Sequence, residues 1–184
     1  QVRNWGKDLN QLDAGIFVAR EAEGAVVSNN RLQGPAFGVW LDATPNVTVS
    51  NNHIRGDVSL RSQDRGNGIH LFNTTGALIE GNDISQTRDA IYIETANRNT
   101  IRGNVMSDLR YGIHYMYSMH NLLENNVTRG TRTGYALMQS KYLKVFNNRS
   151  ENDENYGILM NFITNSELRN NVVTGVSQGQ SAGV

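Results

Sequence analysis

The hydrophobic positions of this chain recur in short alternating runs, not at the three-to-four spacing of an amphipathic helix. The runs end in asparagine: VVSNN at Asn30, VTVSNN at Asn52, LIEGN at Asn82, TIRGN at Asn104, LLENN at Asn126, KVFNN at Asn148 and LRNN at Asn171. Successive asparagines are 22, 30, 22, 22, 22 and 23 residues apart. A second marker keeps the same period, a small residue followed by an apolar one, at Gly15, Gly38, Gly68, Ala90, Gly112, Gly134 and Gly157.

Runs of this length, rich in β-branched residues, read as strands. A leucine-rich repeat has a similar period but needs a leucine lattice and a helical half, and the chain has neither. The pattern predicts an all-β fold: a right-handed parallel β-helix, a single-stranded solenoid of about seven coils with a roughly 22-residue repeat. Asparagine amides, which both donate and accept, can then stack from coil to coil inside one turn. Residues 1–184 are expected to form one domain. The single long interval falls at Gly56–Gly66 (GDVSLRSQDRG), whose polar composition predicts a loop insertion leaving the stack. Neither Gln1–Asp13 nor Ser177–Val184 reads as a cap for bare strand edges, so the chain is expected to be part of a longer β-helix.

Strand alternation predicts where side chains point. The first and third positions after each small residue, such as Ile91/Ile93 and Ile113/Tyr115, are apolar or aromatic and are expected to face the core. The second and fourth are Phe17/Ala19, Trp40/Asp42, His70/Phe72, Tyr92/Glu94, His114/Met116, Ala136/Met138 and Leu159/Asn161, and these are expected to face outward. Met106 and Met160 fall in the core-facing phase.

Lysine plus arginine equals aspartate plus glutamate at 17 each, so no net field points to nucleic acid. No apolar run is long enough to span a membrane. With no cysteine, disulfides and thiolate metal sites are excluded. What remains is a cluster of softer donors in the middle of the outward flank. His114 and Met116 lie two residues apart on one strand, with Met138 the stacked neighbour of Met116 in the next coil. His70 lies two coils before His114, and Met119 and His120 follow in the turn. Imidazole and thioether without thiolate suit copper, Cu(I) more than Cu(II). The same methionines could instead form an apolar patch covered by a partner, and the histidines could simply bond to backbone carbonyls.

β-Helices also carry polysaccharide lyases and epimerases, which need paired carboxylates or an acid/base group at a groove. Asp42 and Glu94 are separated by an intervening coil, and Arg88-Asp89 and Arg110-Tyr111, which precede consecutive strands, could form a polar row or a solvated edge with salt bridges to neighbours, so no tight acid/base constellation emerges. A metal-free docking scaffold is the third alternative.

The segments GNGIHLFN (66–73), RDAIYIET (88–95), LRYGIHYMYS (109–118), GYALM (134–138) and YGILMN (156–161) resemble the NosD family. The resemblance implies a non-enzymatic periplasmic protein of nitrous oxide reductase maturation, its signal peptide removed. Its partners would be ABC transporter subunits, a copper-chaperone lipoprotein and the nitrous oxide reductase apoprotein, and its task to help assemble the copper–sulfur centre. With the phase argument added, His114, Met116 and Met138 are the expected primary copper ligands, and Met119, His120 and His70 secondary or transfer ligands.

Overall fold

A computed structural model describes residues 1–177. Most of the proposed terminal segment Ser177–Val184 lies outside the described residues.

The chain winds through three walls of parallel strands. The first holds eight strands, from Val2–Arg3 to Val172–Thr174; the second holds seven, from Ala14–Val18 to Tyr156–Thr164; the third holds seven, from Val26–Ser28 to Glu167–Arg169. Each strand pairs with its counterpart one coil away, so the architecture is the expected parallel β-solenoid of about seven turns.

The asparagines lock this register. Asn82 donates from its backbone N and from Nδ2 to Oδ1 of Asn104, at 3.0 and 2.9 Å, and Asn104 does the same to Asn126. The ladder runs unbroken from Asn30 to Asn171. The residue before each ladder member has positive φ: Asn29, Asn51, Gly81, Gly103, Asn125, Asn147 and Asn170. Asparagine and glycine tolerate that conformation at least cost, which explains why the motif reads NN or GN. A shorter second ladder, Ala77–Asn99–Asn121, follows the second wall and was not read from the sequence.

Inside the second wall, Val39, Ile69, Ile91, Ile113 and Tyr135 form one fully buried column, and Leu41, Leu71, Ile93, Tyr115 and Leu137 another. Burying one such aliphatic side chain contributes about 1.5–3 kcal/mol. Met106 is in the core as expected. Met160 keeps the core-facing phase, paired with Leu137; it lies in the last described strand of the wall and is 42% exposed. Between strands His53–Gly56 and Ile69–Phe72 the chain leaves the wall, makes a short 3₁₀ turn at Ser62–Asp64, and is tied back by Arg65, which donates to the carbonyls of Leu60 and Gln86.

Alternation fails at one place in each coil. Ala90 and Ile91 are consecutive yet both lie in the core, and a Cβ placed on Gly38 would meet Ile54 Cγ2 at 2.7 Å. The chain bends at the small residue, which keeps the position small. The residue just before it is therefore turned to the outer side.

Candidate metal-binding flank

This bend gives the outer face of the second wall three columns of side chains, one more than alternation predicted. The additional column includes Phe37, Asn67, Asp89 and Tyr111, and it leans over the column that holds Trp40, His70, Tyr92 and His114. The third column runs Asp42, Phe72, Glu94, Met116, Met138, Asn161.

The middle column is a stack of rings. Centroid separations are 4.0 Å for Trp40–His70, 4.6 Å for His70–Tyr92 and 4.4 Å for Tyr92–His114. At its lower end the expectation of an exposed flank needs correction. Trp40 and His70 point away from the core but are only 6% and 5% exposed, because Phe37 packs edge-on against both rings. Ala136 is likewise covered.

His70 Nδ1 lies 3.2 Å from Nδ2 of Asn67. An amide nitrogen can only donate, so Nδ1 accepts and Nε2 carries the proton of the neutral ring. Nε2 is 3.4 Å from Glu94 Oε2, close enough to attract but not aligned for a hydrogen bond. Burial holds the His70 imidazole below its ordinary pKa against the opposing pull of Glu94. The nearby His70 imidazole in turn lowers Glu94 against its partial burial.

His114 has the opposite arrangement. Its Nδ1 lies 3.0 Å from Oδ2 of Asp89, whose side chain is 1% exposed. Arg110 clamps the same carboxylate with two bonds, Nε to Oδ1 at 2.8 Å and an Nη2 donation to Oδ2 at 2.6 Å. Burial pushes the Asp89 carboxyl up, but the hydrogen bonds from Arg110 and His114 outweigh it and hold it below the usual carboxylate range. Tyr92 packs on the His114 ring and Tyr111 meets it edge-on at 5.0 Å. Burial, then the nearby Glu94 and Asp89 charges, push the Tyr92 phenol up to about 12, so it stays neutral.

The structure brings three of the expected ligand residues together. Met116 follows His114 by two residues on the strand Tyr111–Met116, and Met138 is its direct partner in the next coil, about 4.8 Å away between strands. All three are half-buried and open to the surface on one side. The other three stand apart. Tyr92 separates His70 from His114. Met119 bridges to Lys141 in the turn, and His120 is exposed and stacked on Tyr142 at 4.8 Å with the rings 6° from parallel. His120 and Tyr142 line a shallow recess with Asn121, Leu122 and Lys144, beyond the edge of the second wall. Among the described residues no three histidine, aspartate or glutamate side chains converge to hold a metal. Imidazole and thioether donors share this part of the flank with the Glu94 carboxylate, the partner of Met116 in the preceding coil. Asp89 and Arg110 were read from the sequence as a polar row or a solvated edge; the alternation rule gave no reason to set Asp89 beside His114.

Fold and flank together define a parallel β-solenoid protein whose second wall sets His114, Met116 and Met138 on its outer face. The family described as "Periplasmic copper-binding protein (NosD)" matches residues 50–184. Curated relatives agree. The chain is 62% identical over 181 residues to the "Probable ABC transporter binding protein NosD" of Pseudomonas aeruginosa, covering 98% of this chain and 42% of that protein. It is 55% identical over 179 residues to the protein of the same name from Stutzerimonas stutzeri, covering 97% and 41%. The chain belongs to the NosD family of periplasmic copper-binding proteins. It spans about two-fifths of the length of these relatives, which are named as binding proteins and not as enzymes.

Proposed function

We propose that this chain carries a copper relay site of a periplasmic accessory protein that takes part in assembling the copper–sulfur centre of nitrous oxide reductase. His114, Met116 and Met138 are the primary ligands and Cu(I) is the cargo. Met119 and His120, on the adjoining turn, form a transfer step at the edge of the wall. His70 supports the ring stack from beneath and is at most a secondary ligand. Copper would arrive from a copper-chaperone lipoprotein and pass toward the reductase apoprotein, with ABC transporter subunits as the membrane partner; the printed names of the relatives support that last association.

The observation that carries this reading is the register that puts His114 and Met116 two residues apart on one strand and Met138 beside Met116 in the next coil, all on the outer side of the wall and partly exposed. Two thioether sulfurs and one imidazole nitrogen, with no thiolate, favour Cu(I) over harder ions, and Glu94, the partner of Met116 in the preceding coil, is the nearest carboxylate of that column. An open flank also suits a carrier that must release its ion to the next protein. The test is titration of Cu(I) against a competing chelator, comparing the wild type with Met116→Ala/Met138→Ala. The double variant is expected to lose at least tenfold in affinity, about 1.4 kcal/mol. Equal affinity in both proteins would remove these methionines from the site.

A further inference from the structure

We infer that Asp89 is the positioning residue of this flank: it holds His114 with its proton on Nδ1 and so leaves the Nε2 lone pair for the metal. The inference rests on the copper reading above and adds to it a residue outside the ligand set.

Three observations carry it. Asp89 Oδ2 lies 3.0 Å from His114 Nδ1, and both carboxylate oxygens are already engaged by the Arg110 fork, so this oxygen can only accept. The carboxylate is itself buried and cannot swing away to water. Among the described residues no hydrogen bond engages Nε2. A ring whose Nδ1–H is fixed by a buried carboxylate, while Nε2 stands free, is arranged to donate to a metal; such outer partners set the tautomer and orientation of a ligating histidine. Tyr92 and Tyr111 pack against two sides of the ring and limit its rotation. Arg110 takes the next place outward: it positions Asp89, and its guanidinium lies 4.4 Å from the Tyr111 ring centroid.

The experiment uses the whole chain labelled with ¹⁵N-histidine and no metal. The side-chain ¹⁵N shifts of His114 in wild type are expected to report a protonated Nδ1 and an unprotonated Nε2; the reverse pattern overturns the inference without any variant being needed. In Asp89→Asn the tautomers are expected to mix. Ag(I), used as a Cu(I) probe in a competition titration, is expected to bind about 10- to 100-fold more weakly, with the fold retained by circular dichroism. Wild-type affinity in Asp89→Asn also overturns the inference. If the wild-type ring shows the expected tautomer but binds no Ag(I), it is the copper reading that fails, and the metal half of this inference fails with it.

Discussion

His70 and His114 occupy one column of one wall, two coils apart, with Tyr92 between them, edge-on to His70 and tilted over His114. Each has a polar neighbour from the column created by the bend, within hydrogen-bonding distance of Nδ1. At His70 that neighbour is the amide of Asn67, and at His114 it is the carboxylate of Asp89. An amide nitrogen donates and a carboxylate accepts, so the two rings are held in opposite tautomers. The lower ring is sealed under Phe37 and Trp40 and turns an N–H toward Glu94. The upper ring has its Nδ1 on the Asp89 carboxylate and shares the outer face with Met116, two residues on, and with Met138, the partner of Met116 in the next coil. Stacked coils repeat the same backbone frame at each level; an amide beside one ring and a carboxylate beside the other give the two levels different hydrogen-bond partners, and the proposed function assigns metal only to the His114 level.

The sharpest way to break this comparison is to remove the two neighbours in turn. Asp89→Leu strands the Arg110 guanidinium in a half-buried place and is expected to cost about 3 kcal/mol in urea unfolding. Asn67→Leu removes one neutral bond to a buried ring and should cost about 1 kcal/mol. Equal costs would mean that the two levels are not distinct.

The acid limb of stability should separate the rings next. The folded-state pKa of His70 is depressed by burial, so below about pH 6.5 the unfolded chain takes up a proton that the folded chain refuses. Stability is therefore full above that pH and falls as pH drops toward the folded pKa, with a limiting slope of about 1.4 kcal/mol per pH unit for one proton. His70→Phe, which keeps an aromatic ring in the stack, is expected to flatten this limb while leaving Cu(I) affinity within about twofold, or roughly 0.4 kcal/mol. A large loss of affinity would return His70 to the primary ligand set.

The smallest effect is expected at Asp42, a more exposed carboxylate of the flank. Asp42 meets only Arg20, at 3.3 Å, and that side chain is 72% exposed. Arg20→Ala should change stability by less than about 0.5 kcal/mol, and added salt should erase even that. Guanidinium–carboxylate pairs at the two ends of one wall thus differ through burial, not through chemistry.

Much of this was legible in the sequence because a solenoid repeats its constraints. The ladder from Asn30 to Asn171 and the small residue opening each coil fix the register, and period-two alternation from Gly112 onward correctly set Ile113 and Tyr115 inside and His114 and Met116 outside. What escaped lies where that alternation breaks. Ala90 and Ile91 both turn inward, so Asp89 turns outward, and a rule counted from the small residue could not place it. Trp40 and His70 were assigned the correct side, but their cover by Phe37 depends on the same bend. Met160 kept its predicted phase, paired with core-facing Leu137. Met119 and His120 sit in a turn whose positive φ at His120 sends the chain around the corner, so nearness in sequence to Met116 did not become convergence on one centre.

The most direct test of the account is anomalous scattering from crystals of this protein soaked with Ag(I) as a Cu(I) probe. The predicted result is one dominant peak within bonding distance of His114 Nε2 and the Sδ atoms of Met116 and Met138. A dominant peak at His70 or at His120, with none beside His114, would contradict it.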